Sequence, residues 1–215
     1  MNLRKDIILV PSSQAVCYIL LPMCPADEML EWIRTNASEY AANMVVLSGM
    51  DWNRDMSPWP APAVFSRESD FGGKATDFLN YLLSDVIPAV ERELAMGAVS
   101  HRRLVGISLS GLFALWASCQ TDAFHRVASL SGSLWYDGFA EWMAKQTPHI
   151  ERAYLSLGNR EKLSRNVRMA TVEDTTIRVA EMLKCKGVET VLELNPGTHF
   201  APLLPRMEKA LKALK

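Results

Sequence analysis

The chain has 215 residues, 49% of them hydrophobic and 22% charged, with a formal net charge of -1. That length suits one domain with a sizeable core. The near-neutral balance excludes a protein whose main task is gripping nucleic acid or an anionic membrane, and no apolar run is long enough to cross a bilayer.

Arg4 and Lys5 precede a short apolar stretch that breaks at Pro11, Ser12 and Ser13 without a small-residue cleavage site, so no signal peptide is expected. The four cysteines, Cys17, Cys24, Cys119 and Cys185, show neither CxxC nor Cys/His metal spacing. Burial in apolar strands or helices is the expectation for two or three of them. The cytoplasm is the expected compartment, with neither metal nor cofactor.

Residues 7–10 and 17–21 read as strands joined by a turn at 11–14. Pro25, Asp27 and Glu28 open a helix whose apolar face is Met29, Leu30, Ile33 and Ala37. Residues 44–47 form a short apolar strand. From 50 to 73 periodicity stops, leaving a loop that carries Trp52, Trp59 and several prolines, either a functional loop or a stiffened cover on the sheet. Within it Arg54 and Asp55 can pair. A helical stripe over 74–96 is expected to kink or restart at Pro88 and to stop at Gly97.

Residues 104–107 read as a strand, and 111–118 as a helix apolar nearly all round and hence central. Strands follow at 127–130, 153–157 and 191–194, with helices at 139–145, around Ile177, Ala180 and Leu183, and over 200–214. This alternation predicts an α/β fold with a mostly parallel sheet covered on both faces, in one domain over 1–215.

Between the strand at 104–107 and its helix lies Gly106-Ile107-Ser108-Leu109-Ser110. A sharp strand-to-helix turn that presents one hydroxyl needs small residues two before and two after the serine, and Gly106 and Ser110 qualify. Were Ser110 the nucleophile, Leu112 would fall where a small residue is required. Ser108 is therefore the candidate nucleophile. A neutral hydroxyl needs a base to take its proton, and the resulting imidazolium needs a carboxylate.

Active sites of such sheets sit on loops at the carboxyl ends of strands. Ser108, Glu161 and His199 each follow a predicted strand, in the order serine, acid, histidine. His101, His125 and His149 lie before strands, at the opposite end. Glu161 is the favoured acid; Glu173 and Asp174 fit the first turn of a helix instead, and a dyad without an acid is the remaining alternative. The expected oxyanion donors are the backbone N–H of Leu109 and that of Met23, or failing it Cys24, since Pro22 has none.

In these residues the chain resembles the putative-esterase family of α/β-hydrolases, with its esterase D-like and enterochelin-esterase-like enzymes. Gly106-Ile107-Ser108-Leu109-Ser110-Gly111-Leu112-Phe113-Ala114-Leu115 is similar to the family's G-x-S-x-G-G-L-x-A-L, with Ser110 for a glycine. Trp52-Asn53-Arg54-Asp55-Met56-Ser57-Pro58 resembles its R-D-Y-T-P segment. Val86-Ile87-Pro88-Ala89-Val90-Glu91 is similar to the helix before the elbow strand, Ser131-Gly132-Ser133-Leu134-Trp135 to its S-P-S-L-W loop, and Gly197-Thr198-His199 to its base loop. Pro22 and Met23 stand where the family often has Asp-Gly.

The resemblance implies a cap-free α/β-hydrolase fold and a serine esterase that acts on a small-molecule ester without cofactor. Ser108 would be nucleophile, His199 base and Glu161 acid, with Trp52, Arg54 and Trp135 lining the substrate cleft. Acyl transfer or thioester hydrolysis on the same residues, or an inactive hydrolase-like binding protein, are the alternatives. A siderophore substrate is a family implication that a basic cleft from Arg54, Arg160, Lys162 and Arg165 would serve.

Overall fold

The centre of the molecule is a run of strands whose alternate residues enter two different cores. In the computed structural model, which describes residues 3–10, 13–66, 68–94 and 99–215, strand β1 spans Arg4–Ile8, β2 Ala15–Leu20 and β3 Asn43–Ser48. All six residues of β2 are buried. Val16, Tyr18 and Leu20 join one apolar cluster, and Cys17, Ile19 and Leu21 the other. A strand buried on both faces reads as a continuous apolar run, and this two-faced burial is the mark of a parallel sheet layered between helices.

Helix α1 (Asp27–Asn36) lies between β2 and β3. The 50–73 segment, expected to be an aperiodic loop, contains a one-turn helix α2 (Trp52–Asp55) and a ribbon of β4 (Pro60–Ala61) with β5 (Phe71–Gly72). The stripe expected to kink or restart at Pro88 does restart there. Helix α3 (Ala75–Tyr81) passes through a widened π turn at Leu82–Val86 into α4 (Ile87–Glu93). Proline has no N–H to return to the preceding turn, and a widened turn at that point absorbs the missing bond without breaking the rod. Gly97 and the first half of the 11–14 turn lie outside the described residues.

Strand β6 (His101–Ile107) leads into α5 (Leu109–Ala117), followed by β7 (Arg126–Leu130), α6 (Phe139–Ala144), β8 (Arg152–Gly158), α7 (Val172–Cys185), β9 (Glu189–Asn195) and α8 (Leu203–Ala213). The sheet order is β1-β3-β2-β6-β7-β8-β9. Among the described residues of this seven-stranded sheet, only β1 runs antiparallel. Helices α3 to α7 contribute Phe78, Val90, Phe113, Phe139 and Leu183 to one face. The other face is covered by α1 and α8 through Leu30, Ile33, Met207 and Leu211.

Every residue of α5 is buried, as its all-round apolar sequence predicts. Among the cysteines only Cys17 is fully buried; Cys119 is half-buried, and Cys24 and Cys185 are exposed, against the expectation that two or three would be interior. No helix among the described residues is long and apolar enough to cross a membrane.

Candidate active site

The turn from β6 into α5 fixes Ser108. Its backbone has φ 58° and ψ -121°, a left-handed conformation that costs a non-glycine residue on the order of 1–3 kcal/mol. The neighbours are held in place by close approach. A Cβ on Gly106 would lie 1.9 Å from the carbonyl oxygen of Ser110. Ser110 itself is buried, and its hydroxyl does work that glycine could not. It accepts from Ile107 N–H at 2.8 Å and lies 2.9 Å from the carbonyl of Leu20, tying the elbow to the end of β2. The serine that replaces the family's usual glycine thus braces the two strand ends that flank the site.

Three loops at the carboxyl ends of strands meet here. His199, on the loop after β9, has Nε2 3.1 Å from Ser108 Oγ and Nδ1 2.8 Å from Glu161 Oε2. A carboxylate can only accept, so Nδ1 carries the proton and the Nε2 lone pair faces the serine hydroxyl. Glu161 begins a 3₁₀ turn after β8 and is buried. Its second oxygen, Oε1, accepts from Ser131 Oγ at 2.6 Å and from Gly158 N–H at 2.7 Å. Burial pushes this carboxyl up, but hydrogen bonds from His199, Ser131 and Gly158 outweigh it and leave the group below the ordinary carboxylate range.

The competing acids are elsewhere. Glu173 pairs with Lys162 at 2.8 Å, and Asp174 is exposed in the first turn of α7. His101 and His125 pack edge to face at the opposite end of the sheet, with centroids 5.0 Å apart.

Leu109 is the first helical residue of α5, so its N–H has no acceptor within the helix and is available at the elbow. Pro22, Met23 and Trp52 line a cavity of about 370 Å³ together with Ser108 and His199. A second cavity, of about 350 Å³, also touches His199 and is lined by Trp135, Leu163, Met169, Val172 and Phe200, with Arg160 and Glu161 beside them. His199 and Phe200 belong to both.

Trp135 is held in its recess by Arg168, whose guanidinium carbon lies 5.6 Å from the ring centroid and which also pairs with Asp137 at 2.7 Å. Trp59 serves packing instead. It lies 5.8 Å from Tyr136 and 5.9 Å from Trp142, and its indole N–H donates to Asp137 O at 3.0 Å. Arg54 lines neither recess, and its guanidinium lies 3.4 Å from the buried carboxylate of Asp55. Sequence reasoning missed Arg206, which reaches this site from α8. The signal for it was an arginine beside Met207, Ala210 and Leu211 on an inward helical face. Among the described residues no cluster of His, Cys, Asp and Glu could hold a metal ion.

A likeness to known proteins runs through the whole fold. An IroE-like serine hydrolase from Shewanella oneidensis superposes with a TM-score of 0.79 at 18% identity, over 97% of this chain and 74% of that one. The siderophore hydrolase EstA from Aspergillus nidulans superposes with a TM-score of 0.66 at 18% identity, over 98% and 93%. In sequence, the uncharacterized protein YbbA of Bacillus subtilis (strain 168) is 29% identical over 137 residues, 62% of this chain. The matched stretch spans 55% of the length of YbbA, about half of that curated relative. Residues 25–210 match the model of the family described as Putative esterase, and the chain belongs to that family.

Proposed function

We propose that this protein is a serine hydrolase that cleaves carboxylic esters through an acyl-enzyme. The observation that carries the proposal is the continuous hydrogen-bonded line from Ser108 Oγ through the His199 imidazole to the buried Glu161 carboxylate. Family membership and the α/β-hydrolase fold support it independently.

Ser108 Oγ attacks the ester carbonyl carbon while its proton passes to His199 Nε2. The negative charge on the carbonyl oxygen is met by the N–H groups of Leu109 and Met23; such a donor contributes on the order of 10²- to 10³-fold in rate. Collapse breaks the bond to the alcohol oxygen, which leaves with the proton from Nε2, and the acyl group stays on Ser108. A water then gives a proton to Nε2 and attacks the acyl carbon; collapse breaks the bond to Ser108 Oγ, which takes that proton back from Nε2, and the carboxylic acid leaves. Glu161 holds the required tautomer and offsets the imidazolium charge without itself being protonated.

The two recesses that share His199 would take an acyl arm and an alcohol arm. Lys162 and Arg168 are already paired with carboxylates, which leaves Arg160 as the cation that a substrate arm meets in the second recess. Exposed Cys24 and Cys185 suit a reducing compartment, in keeping with the cytoplasm. The test is turnover of a short-chain aryl ester by wild type and by Ser108→Ala. Loss of turnover in a variant with unchanged thermal midpoint is expected, and retained turnover refutes the assignment. With competing alcohols added to the same assay, an acyltransferase passes most of the acyl group to the alcohol, whereas a hydrolase releases mainly the carboxylic acid.

A further inference from the structure

Arg206 is 5% exposed on the inner face of α8, among residues of the apolar core. A guanidinium in such a place needs partners, and those of Arg206 all belong to the candidate site. Nη1 donates to Ser131 Oγ and lies 3.5 Å from Glu161 Oε1. Nη2 donates to the carbonyl of Thr198 at 2.8 Å, one residue before His199. Ser131, at φ 46° in the left-handed region, passes the interaction on, accepting from Arg206 and donating to Glu161. There is no slack around the group. A Cβ on Gly158 would stand 2.5 Å from Gly197 O and 3.0 Å from both Arg206 Nη2 and Glu161 Oε1.

The chemistry gives this arrangement a purpose. A lone carboxylate beside an imidazole favours the protonated ring, which cannot take the proton of Ser108. A guanidinium on the far side of that carboxylate opposes its field at the ring. We infer that Arg206 is a positioning residue for the proposed hydrolysis: it locks the Glu161 carboxylate and the His199 loop together, and its charge opposes that of Glu161 at the ring. This inference rests on the serine-hydrolase reading. Under it, the acid of the site is a buried ensemble of Glu161, Ser131 and Arg206, with the cation supplied by the last helix.

The test is the rate of fluorophosphonate labelling from pH 5 to pH 10 for wild type, Arg206→Met and Arg206→Lys, with folding followed by circular dichroism. Arg206→Met removes the charge and keeps an apolar stem. Its acidic limb is expected to move up by about one pH unit, with the plateau rate down about tenfold or more. Arg206→Lys, which restores the charge, is expected to bring the limb back to within a few tenths of a unit. A folded Arg206→Met whose plateau falls while its limb stays in place would make Arg206 merely structural and overturn the inference. A displaced limb in Arg206→Lys equal to that of Arg206→Met would overturn it as well.

If Arg206→Met does not fold, Ser131→Ala decides. It removes the hydroxyl that links guanidinium to carboxylate, and a limb unmoved from wild type then refutes the proposed coupling. Absence of labelling in folded wild type at every pH would instead remove the hydrolase reading on which the inference rests.

Discussion

Replacing Glu161 with glutamine tests the site more sharply than deleting the side chain, because the structure dictates which way the amide must sit. Oε1 receives the Ser131 hydroxyl at 2.6 Å and the Gly158 N–H at 2.7 Å, with Arg206 Nη1 3.5 Å away. Donors converge on that corner, so an amide NH₂ cannot occupy it. The NH₂ of glutamine is therefore forced to the Oε2 position, 2.8 Å from His199 Nδ1 in the parent. Facing a donor, Nδ1 must give up its proton, which moves to Nε2. Nε2 then points a proton at Ser108 Oγ, where a lone pair is needed.

A wrong-tautomer substitution of this kind lowers turnover by about 10⁴-fold in serine proteases, equivalent to about 5.4 kcal/mol of transition-state stabilisation. The same change leaves Arg206 without its carboxylate, at a stability cost of about 2 kcal/mol. Hydrolysis of an aryl ester, measured as kcat/KM in Glu161→Gln and wild type, checks the first figure, and urea denaturation checks the second. A loss of less than about tenfold in kcat/KM, in a folded variant, would refute the reasoning. So would full activity restored at high pH, since no titration repairs the tautomer.

Glu161 also predicts a pH dependence of stability. Its folded carboxyl lies below the ordinary value of 4.5, so the stability it contributes is fully present above that value and is lost as pH falls through the folded one. Urea midpoints from pH 7 to pH 3 are expected to fall less steeply in Glu161→Gln than in wild type, and parallel curves would contradict this. Ser110→Gly, which restores the residue usual in the family, deletes the bonds to Ile107 N–H and Leu20 O. It is expected to lose about 1–2 kcal/mol in urea denaturation, and unchanged stability would show that the bracing is idle. Gly106→Ala places a Cβ 1.9 Å from the Ser110 carbonyl oxygen and 2.3 Å from its carbon. With backbone on the opposing side nothing can move cheaply, and destabilisation above about 4 kcal/mol is expected by the same measurement; a loss under about 1 kcal/mol would mean that the turn is not as close-packed as described.

The parts of this molecule that were legible in its sequence are those decided within a few residues. The strands buried on both faces announced themselves as short apolar runs, and the elbow announced itself because the small residues at 106 and 110 and the buried helix after them are local requirements. His199 and Glu161 were found through chain order, which the sheet converts into proximity at one end. Arg206 was not assigned to the site and Ser131 was read only as part of a loop, because their contact with Glu161 joins the last helix to loops far away in sequence; an arginine on an inward helical face hints at burial but not at its partner. The same limit applies to the two tryptophans of the 50–73 segment. Both are apolar residues in a proline-rich stretch, and only tertiary packing sends Trp52 to the recess beside Ser108 and Trp59 against Tyr136 and Trp142. Pro88 marked the restart of its helix, but not the form that the restart takes. A proline signals a missing bond, and whether a helix breaks or widens by a residue depends on the core it packs against.

The most direct test of the central claim is labelling of the intact protein with a fluorophosphonate probe, followed by peptide mapping, for wild type and His199→Ala. The account predicts a single adduct on Ser108 in wild type and a sharply reduced labelling rate in the variant, because the line from hydroxyl to imidazole is what activates the nucleophile. An unlabelled but folded wild type, or an adduct on any other serine, would contradict it.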